Sequence, residues 1–297
     1  MTGDIRKLNV IVLLFVILSV LIVLMISSPV EVSRLYVAGQ EDEYLIATDF
    51  KGVAEPVVID AKNRAKGLYG SNEEAVEELT AQLLGAYKAS VKVDTIIIFN
   101  SGGFGWSPVE ASPGWSTLME GIAEEVAGLG RDVKIMDYYR TKPGISGVVD
   151  EVAAFWGLNP LKSDELALRV DFLTKHLTDM RVILAGESNG SGIVEDAMQK
   201  LKENRQVIGI QTGPMMVQRS EPFERSLVTR HNGERQDSLS KGDFFTIIRA
   251  NFEEIMGIEQ ECMGEALFYI GAPGHHYTWE TEALRQKIAG FLHGNLA

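Results

Sequence analysis

Residues 182–192, Val-Ile-Leu-Ala-Gly-Glu-Ser-Asn-Gly-Ser-Gly, constrain the fold of this chain more than any other stretch. The run Val182–Ala185 is apolar without interruption, the mark of a strand covered on both faces. It runs into a glycine-flanked serine and then into small residues that can open a helix. Within it, Gly186-Glu187-Ser188-Asn189-Gly190 has the spacing G-x-S-x-G. A serine on so sharp a strand-to-helix turn takes a strained backbone conformation, and the residues two positions away on either side must lack bulk for helix and strand to approach. Its hydroxyl then projects above the sheet, close to helix N-terminal N–H groups that can receive negative charge. The same five residues also suit a connecting loop without chemistry, so the rest of the chain must decide.

Strand and helix signals alternate on both sides of this segment. Val32–Ala38 and Glu43–Asp49 have strand-like patterns around a turn at Gly39–Asp42, and Val57–Asp60 reads as a third short strand. Ser71 and Glu74 have capping-box spacing, and Val76, Leu79, Leu83 and Leu84 continue a helical period to Tyr87. Thr95–Phe99 is a second continuously apolar, β-branched run, and it ends in the glycine-rich segment Asn100–Trp106. Then follow a helix at Trp115–Leu129, a strand at Val133–Met136, and helices at Ile145–Trp156 and Asp164–Leu177. Beyond residue 192 the pattern predicts helix Gly192–Leu201, strand Val207–Gln211, a shorter strand Leu227–His231, helix Phe244–Met256, strand Ala266–Ile270 and helix Glu280–Leu292. Such alternation predicts an α/β fold with a mostly parallel central sheet and helices on both faces. Residues 29–297 read as a single domain without an internal linker.

The N-terminus reads differently. Val10–Ile26 is apolar except for Ser19 and follows Arg6 and Lys7. As a helix it spans roughly 26 Å, close to the thickness of a bilayer core. A cleaved signal peptide would have a shorter apolar region and small residues at its end, whereas Met25-Ile26-Ser27-Ser28-Pro29 has no such pair. A buried core helix would carry some polar face. The expectation is therefore that residues 1–28 form a cytoplasmic tip and one transmembrane anchor, with the remaining domain outside the cytoplasmic membrane. The formal charge of −13 argues against nucleic acid and against a basic patch on anionic lipid. The single cysteine, Cys262, excludes an intrachain disulfide and a cysteine-based metal cluster.

A serine hydroxyl is a weak nucleophile without a base. Of the five histidines, His176 and His293 lie on predicted helices and His231 ends the short strand. His275 and His276 follow the last predicted strand in Gly271-Ala272-Pro273-Gly274-His275-His276. A loop leaving the C-terminal end of a parallel strand is where α/β sheets place ligands and reacting side chains. A metal site on this doublet is not expected, since adjacent side chains point apart and no His or Cys elsewhere sits at ligand spacing.

The ordered set of Gly186–Gly190, Asp237 and Gly274-His275, with the glycine-rich loop after Thr95–Phe99, resembles the α/β-hydrolase superfamily of serine esterases and lipases. The resemblance covers residues 30–297. It implies an α/β-hydrolase fold in which Ser188 attacks an ester, or a thioester or amide, and forms an acyl-enzyme. Asp237 is the acid by its order in the chain, with Glu234 and Asp243 as alternatives, and His275 is the base, with His276 as the alternative. The oxyanion donors are Asn189 and either Gly102 or Gly103, although Asn100-Ser101 stands where the family commonly has His-Gly. The resemblance requires neither cofactor nor metal. It implies a small-molecule or lipid ester as substrate, and the anchor would add contact with a membrane. The same residues would serve an acyltransferase, and the same fold could be kept as a non-catalytic binding or scaffold module. Gly213–Pro222 is too short for a large cap, and Met215 and Met216 within it either line an acyl pocket or pack in the core.

Overall fold

The computed structural model describes residues 31–39, 45–112, 114–144, 147–148, 151, 161–216, 223–256 and 272–296. In chain order the elements are β1 (Arg34–Val37), α1 (Glu55–Tyr69), α2 (Glu73–Ser90), β2 (Thr95–Asn100), α3 (Trp115–Gly128), β3 (Val133–Tyr139) and α4 (Leu161–His176). They continue with β4 (Arg181–Glu187), α5 (Asn189–Lys200), β5 (Val207–Thr212), β6 (Ser226–Thr229), α6 (Ser238–Lys241), α7 (Phe244–Ile255) and α8 (Glu282–Leu296). The six strands form one sheet in the order β1-β3-β2-β4-β5-β6. Only β1 is antiparallel, against β3; β2, β3, β4, β5 and β6 run parallel.

The two central strands show why the continuous apolar runs matter. In β2, Ile96 and Ile98 face one layer, together with Val182 and Leu184 of β4. There they meet Leu79, Leu83 and Leu84 of α2, Leu166 and Val170 of α4, and Val194 and Met198 of α5. Ile97, Phe99, Ile183 and Ala185 face the other layer, against Trp115, Leu118 and Ile122 of α3 and Leu284, Ile288 and Leu292 of α8. Both faces are therefore covered, as a parallel sheet requires. Each large apolar side chain so buried contributes roughly 1.5–3 kcal/mol.

Several local expectations are corrected. Val57–Asp60 belongs to α1, not to a strand: Pro56 and Glu55 suit a helix's first turn, and Val57, Ala61 and Ala65 form its buried stripe. The cap of α2 is Asn72, whose side chain accepts from the Ala75 N–H at 3.3 Å, in place of Ser71. Residues 45–49 form no strand, and β6 ends at Thr229, leaving His231 in an isolated bridge with Gln236. The anchor segment Val10–Ile26, most of Ile145–Trp156, and the strand expected at Ala266–Ile270 lie outside the described residues. Among the described residues no helix is long and apolar enough to cross a membrane.

Candidate functional site

The chain crosses from β2 to β3 on one flank and back to β4 on the other. That reversal opens a crevice at the C-terminal edge of the sheet. The loop after β2 and the turn after β4 lie side by side there, because Asn100 pairs with Gly186 in register.

Ser188 has φ 50° and ψ −115°, and among the described residues no other non-glycine has positive φ. Such a conformation costs about 1–3 kcal/mol and persists only where the surroundings impose it. Here the Ser188 N–H donates to the Thr212 carbonyl and its carbonyl accepts from Ser191 N–H, both at 3.0 Å. The flanking glycines allow the approach. A Cβ on Gly190 would stand 2.1 Å from the Asn100 carbonyl oxygen, and one on Gly186 would stand 2.8 Å from the Gly190 oxygen. Asn189 opens α5, where backbone N–H groups have no acceptor within the helix.

The structure brings His275 and Asp237 together. His275 Nδ1 lies 2.8 Å from Asp237 Oδ2; the aspartate side chain is wholly buried, while the imidazole keeps 20% of its surface exposed. Asp237 also caps α6, its Oδ1 accepting from the N–H groups of Leu239 at 2.8 Å and Ser240 at 3.0 Å. The hydroxyls of Tyr277 and Ser240 donate to Oδ2 at 2.8 and 3.0 Å. Burial alone would raise the Asp237 carboxyl, but the bonds from His275, Ser240 and Tyr277 outweigh it and hold the group below its ordinary value. Burial likewise opposes the charged form of His275, yet the adjoining Asp237, with Glu187 beyond it, raises the imidazole above its ordinary value. The loops that carry Asp237 and His275 are tied together where Ser238 N–H donates to the Pro273 carbonyl at 3.0 Å.

Gly213 links this pair to the serine. It follows Thr212, the acceptor of the Ser188 amide, and a Cβ on Gly213 would lie 2.6 Å from His275 Cε1 and 2.8 Å from Asp237 Oδ2. His276 points elsewhere, with its ring beside Gly114, and burial lowers its basicity. Asp243 is occupied with Thr246, accepting from its amide at 3.1 Å and its hydroxyl at 2.9 Å. Glu234 lies on the turn held by Asn232, whose Oδ1 accepts the Glu234 N–H at 3.0 Å. The other histidines serve local contacts: His176 with Asp60, His293 with Glu125, and His231 with the Gly233 amide.

The glycine-rich loop is fixed from three sides. Gly102 N–H donates to Glu187 Oε2 at 3.2 Å, and Asn189 Nδ2 donates to the Gly103 carbonyl at 3.1 Å. Arg140, fully buried, donates through Nη1 to the Ser101 carbonyl at 2.7 Å, while its own amide donates to the Gly105 carbonyl at 2.8 Å. Glu151 neutralises that guanidinium, at 2.7 Å from Nη2 and 3.3 Å from Nε. The sequence reading missed Arg140, Glu187, Gly213 and Tyr277. Tyr277 is legible in retrospect as a hydroxyl two residues from His275, whereas Arg140 carries no local signal beyond being a charge at a strand end. Met216 lies against Gly242, the residue that ends α6, where a Cβ would meet its sulfur at 2.6 Å. Among the described residues no group of three or more His, Cys, Asp or Glu could hold a metal ion.

No family model matches the chain, and no curated protein matches it. Among solved structures it is similar to a Trichoderma reesei cutinase in complex with a C11Y4 phosphonate inhibitor, at 11% identity over 83% of this chain and 93% of that one, with a TM-score of 0.42. It is also similar to a dienelactone hydrolase from Anabaena variabilis, at 16% identity over 46% of this chain and 62% of that one, with a TM-score of 0.29.

Proposed function

We propose that this chain is a serine hydrolase of the α/β-hydrolase type that cleaves carboxylic esters through an acyl-enzyme on Ser188. One observation carries the reading: Ser188 is strained at the end of β4 with its amide held by Thr212, and the His275–Asp237 pair packs on Gly213, the next residue. In this mechanism His275 takes the Ser188 proton as the oxygen attacks the substrate carbonyl. Asp237, held on Nδ1, fixes the tautomer and stabilises the imidazolium. The tetrahedral oxyanion is received by the Asn189 N–H and a backbone N–H of the Gly102-Gly103 loop, and each such donor is worth roughly 3 kcal/mol in the transition state. His275 then protonates the leaving alcohol, and a water activated by the same imidazole releases the acid.

An apolar substrate fits the surroundings. Directly after the Asp237 turn, α7 exposes Phe244, Phe245, Ile248 and Phe252, and Met256 lies just beyond its end. These recur at helical spacing, so they form one face. Residues 10–26 would tether the domain to a membrane, with the site outside the cytoplasm. A series of p-nitrophenyl esters from acetate to palmitate tests the reading. Hydrolysis should rise with chain length and vanish in Ser188→Ala. Transfer to an added alcohol that exceeds hydrolysis would reassign the protein as an acyltransferase, and a folded protein inert to the whole series would count against the ester reading. Protease digestion of the domain in intact cells, without lysis, is expected from the outside placement; digestion only after lysis would refute it.

A further inference from the structure

The residue before the nucleophile is a carboxylate with three neighbours of consequence. Glu187 ends β4, and its Oε2 accepts the Gly102 amide at 3.2 Å. A Cβ on Gly102 would lie 3.3 Å from both that oxygen and Ser188 Cβ, so carboxylate, loop and serine are in mutual contact. His275 and Arg140 supply the positive charge felt by Glu187. Arg140 is already paired with Glu151 and holds the Ser101 carbonyl. The charged groups felt by His275 are Asp237 and Glu187, and His276 stands next in the chain. Glu187 holds the loop through the Gly102 amide, and its register partner Thr212 precedes Gly213, on which His275 packs, so the loop and the imidazole both lie at the adjacent ends of β4 and β5.

We propose that Glu187 is a positioning residue that pins the Gly102 loop against Ser188 and acts as a second carboxylate facing His275. The inference rests on the serine-hydrolase reading. With its amide committed to Glu187, Gly102 anchors the loop, and the next amide, that of Gly103, is the loop's donor to the oxyanion. Asp237 fixes the imidazole by a direct hydrogen bond, whereas Glu187 acts on it through space. When the Ser188 proton passes to His275, the imidazolium therefore forms between two carboxylates. Burial outweighs the other influences and holds the Glu187 carboxyl above its ordinary value, while His275, the Gly102 amide, Ser112 and Arg140 favour its charge, so the carboxylate is stabilised most when the imidazole is charged.

Two variants separate the two actions. Glu187→Gln keeps an acceptor for the Gly102 amide and removes the charge. Its acidic limb of kcat/KM is expected to move to lower pH by about half a unit or more, with kcat at the plateau within roughly tenfold of wild type. Glu187→Ala also removes the pin, and its kcat is expected to fall roughly 10²-fold with KM nearly unchanged, because the loop donor acts in the transition state. A merely structural role would leave the limb in place, and that result in a folded Glu187→Gln would overturn the proposal. So would an unchanged kcat in Glu187→Ala. If Glu187→Gln does not fold, Glu187→Asp retains charge but draws it back from the loop. It should keep the limb and lose kcat, and the reverse pattern would sink the idea. Fluorophosphonate labelling of wild type serves as the control. No labelling would remove the serine-hydrolase reading itself, whereas normal labelling with an unmoved limb would remove only the role of Glu187.

Discussion

Two carboxylates of this protein are wholly buried and hydrogen-bonded to a tyrosine, yet only one looks like chemistry. Asp237 binds His275, Tyr277 and Ser240 at the C-terminal edge of the sheet. Glu165, on α4, accepts from the Ser33 amide at 2.9 Å and from the hydroxyl of Tyr69, while the Tyr138 hydroxyl, 3.4 Å away, donates to the Lys162 carbonyl at 2.7 Å and Arg169, also buried, donates to the Ser33 carbonyl. Burial raises both Tyr138 and Tyr277 well above the usual phenol range. The difference lies in the outlet. The partner of Asp237 is an imidazole with 20% of its side chain exposed, packed on Gly213 at the end of β5. The partners of Glu165 are main chain and phenols that tie the N-terminal strand region to α4. Buried, hydrogen-bonded charge therefore marks structure as readily as function, and a group able to pass a proton outward is what separates the two.

Breaking each cluster should give opposite phenotypes. His275→Ala and Asp237→Asn are expected to lower kcat by roughly 10⁴-fold with thermal midpoints close to wild type, while His276→Ala leaves kcat within about twofold. Ester kinetics alongside thermal melts check both statements. A large loss in His276→Ala would exchange the two histidines. Glu165→Ala should do the reverse, costing about 3 kcal/mol of stability by leaving the Ser33 amide and the Tyr69 hydroxyl without their acceptor while sparing kcat. Urea unfolding measures that loss.

Gly213→Ala sharpens the contrast by pushing on the active cluster without removing a functional group. Its φ is 56°, and the new methyl would lie 2.6 Å from His275 Cε1. Displacing the imidazole by about 1 Å should cost around 10²-fold in kcat. Full activity in this variant would mean that the base does not depend on that contact. The smallest effect is the position of the acidic limb. A general base at His275 would have to be neutral to act, and Asp237 raises the imidazole above the ordinary 6.5, so kcat/KM should begin to fall at a pH above 6.5 as the solution is acidified. For stability the sign is opposite: the protonated imidazole contributes fully below 6.5, and that contribution is lost as pH rises through the folded value.

Much of this was legible in sequence because it rests on local sterics. The run Val182–Gly192 announces a buried strand, a bulk-free turn and a helix start, which β4, the Ser188 turn and α5 supply. Val57–Asp60 was misread because three β-branched residues outweighed the signal of Pro56, and a three-residue window cannot tell period 2 from period 3.6. The supports of the site were illegible for another reason. Arg140 is 39 residues from the Ser101 carbonyl it holds, and Gly213 meets His275 across a longer stretch of chain still. Contacts made by strand order leave no trace in spacing.

The central claim is that Ser188 is the nucleophile. Intact-mass and peptide-mapping mass spectrometry of the full chain after treatment with a fluorophosphonate tests it most directly. The account predicts one adduct, on the peptide containing Ser188, slowed sharply in His275→Ala and absent in Ser188→Ala. An adduct that persists in Ser188→Ala, or none on folded wild-type protein, would contradict it.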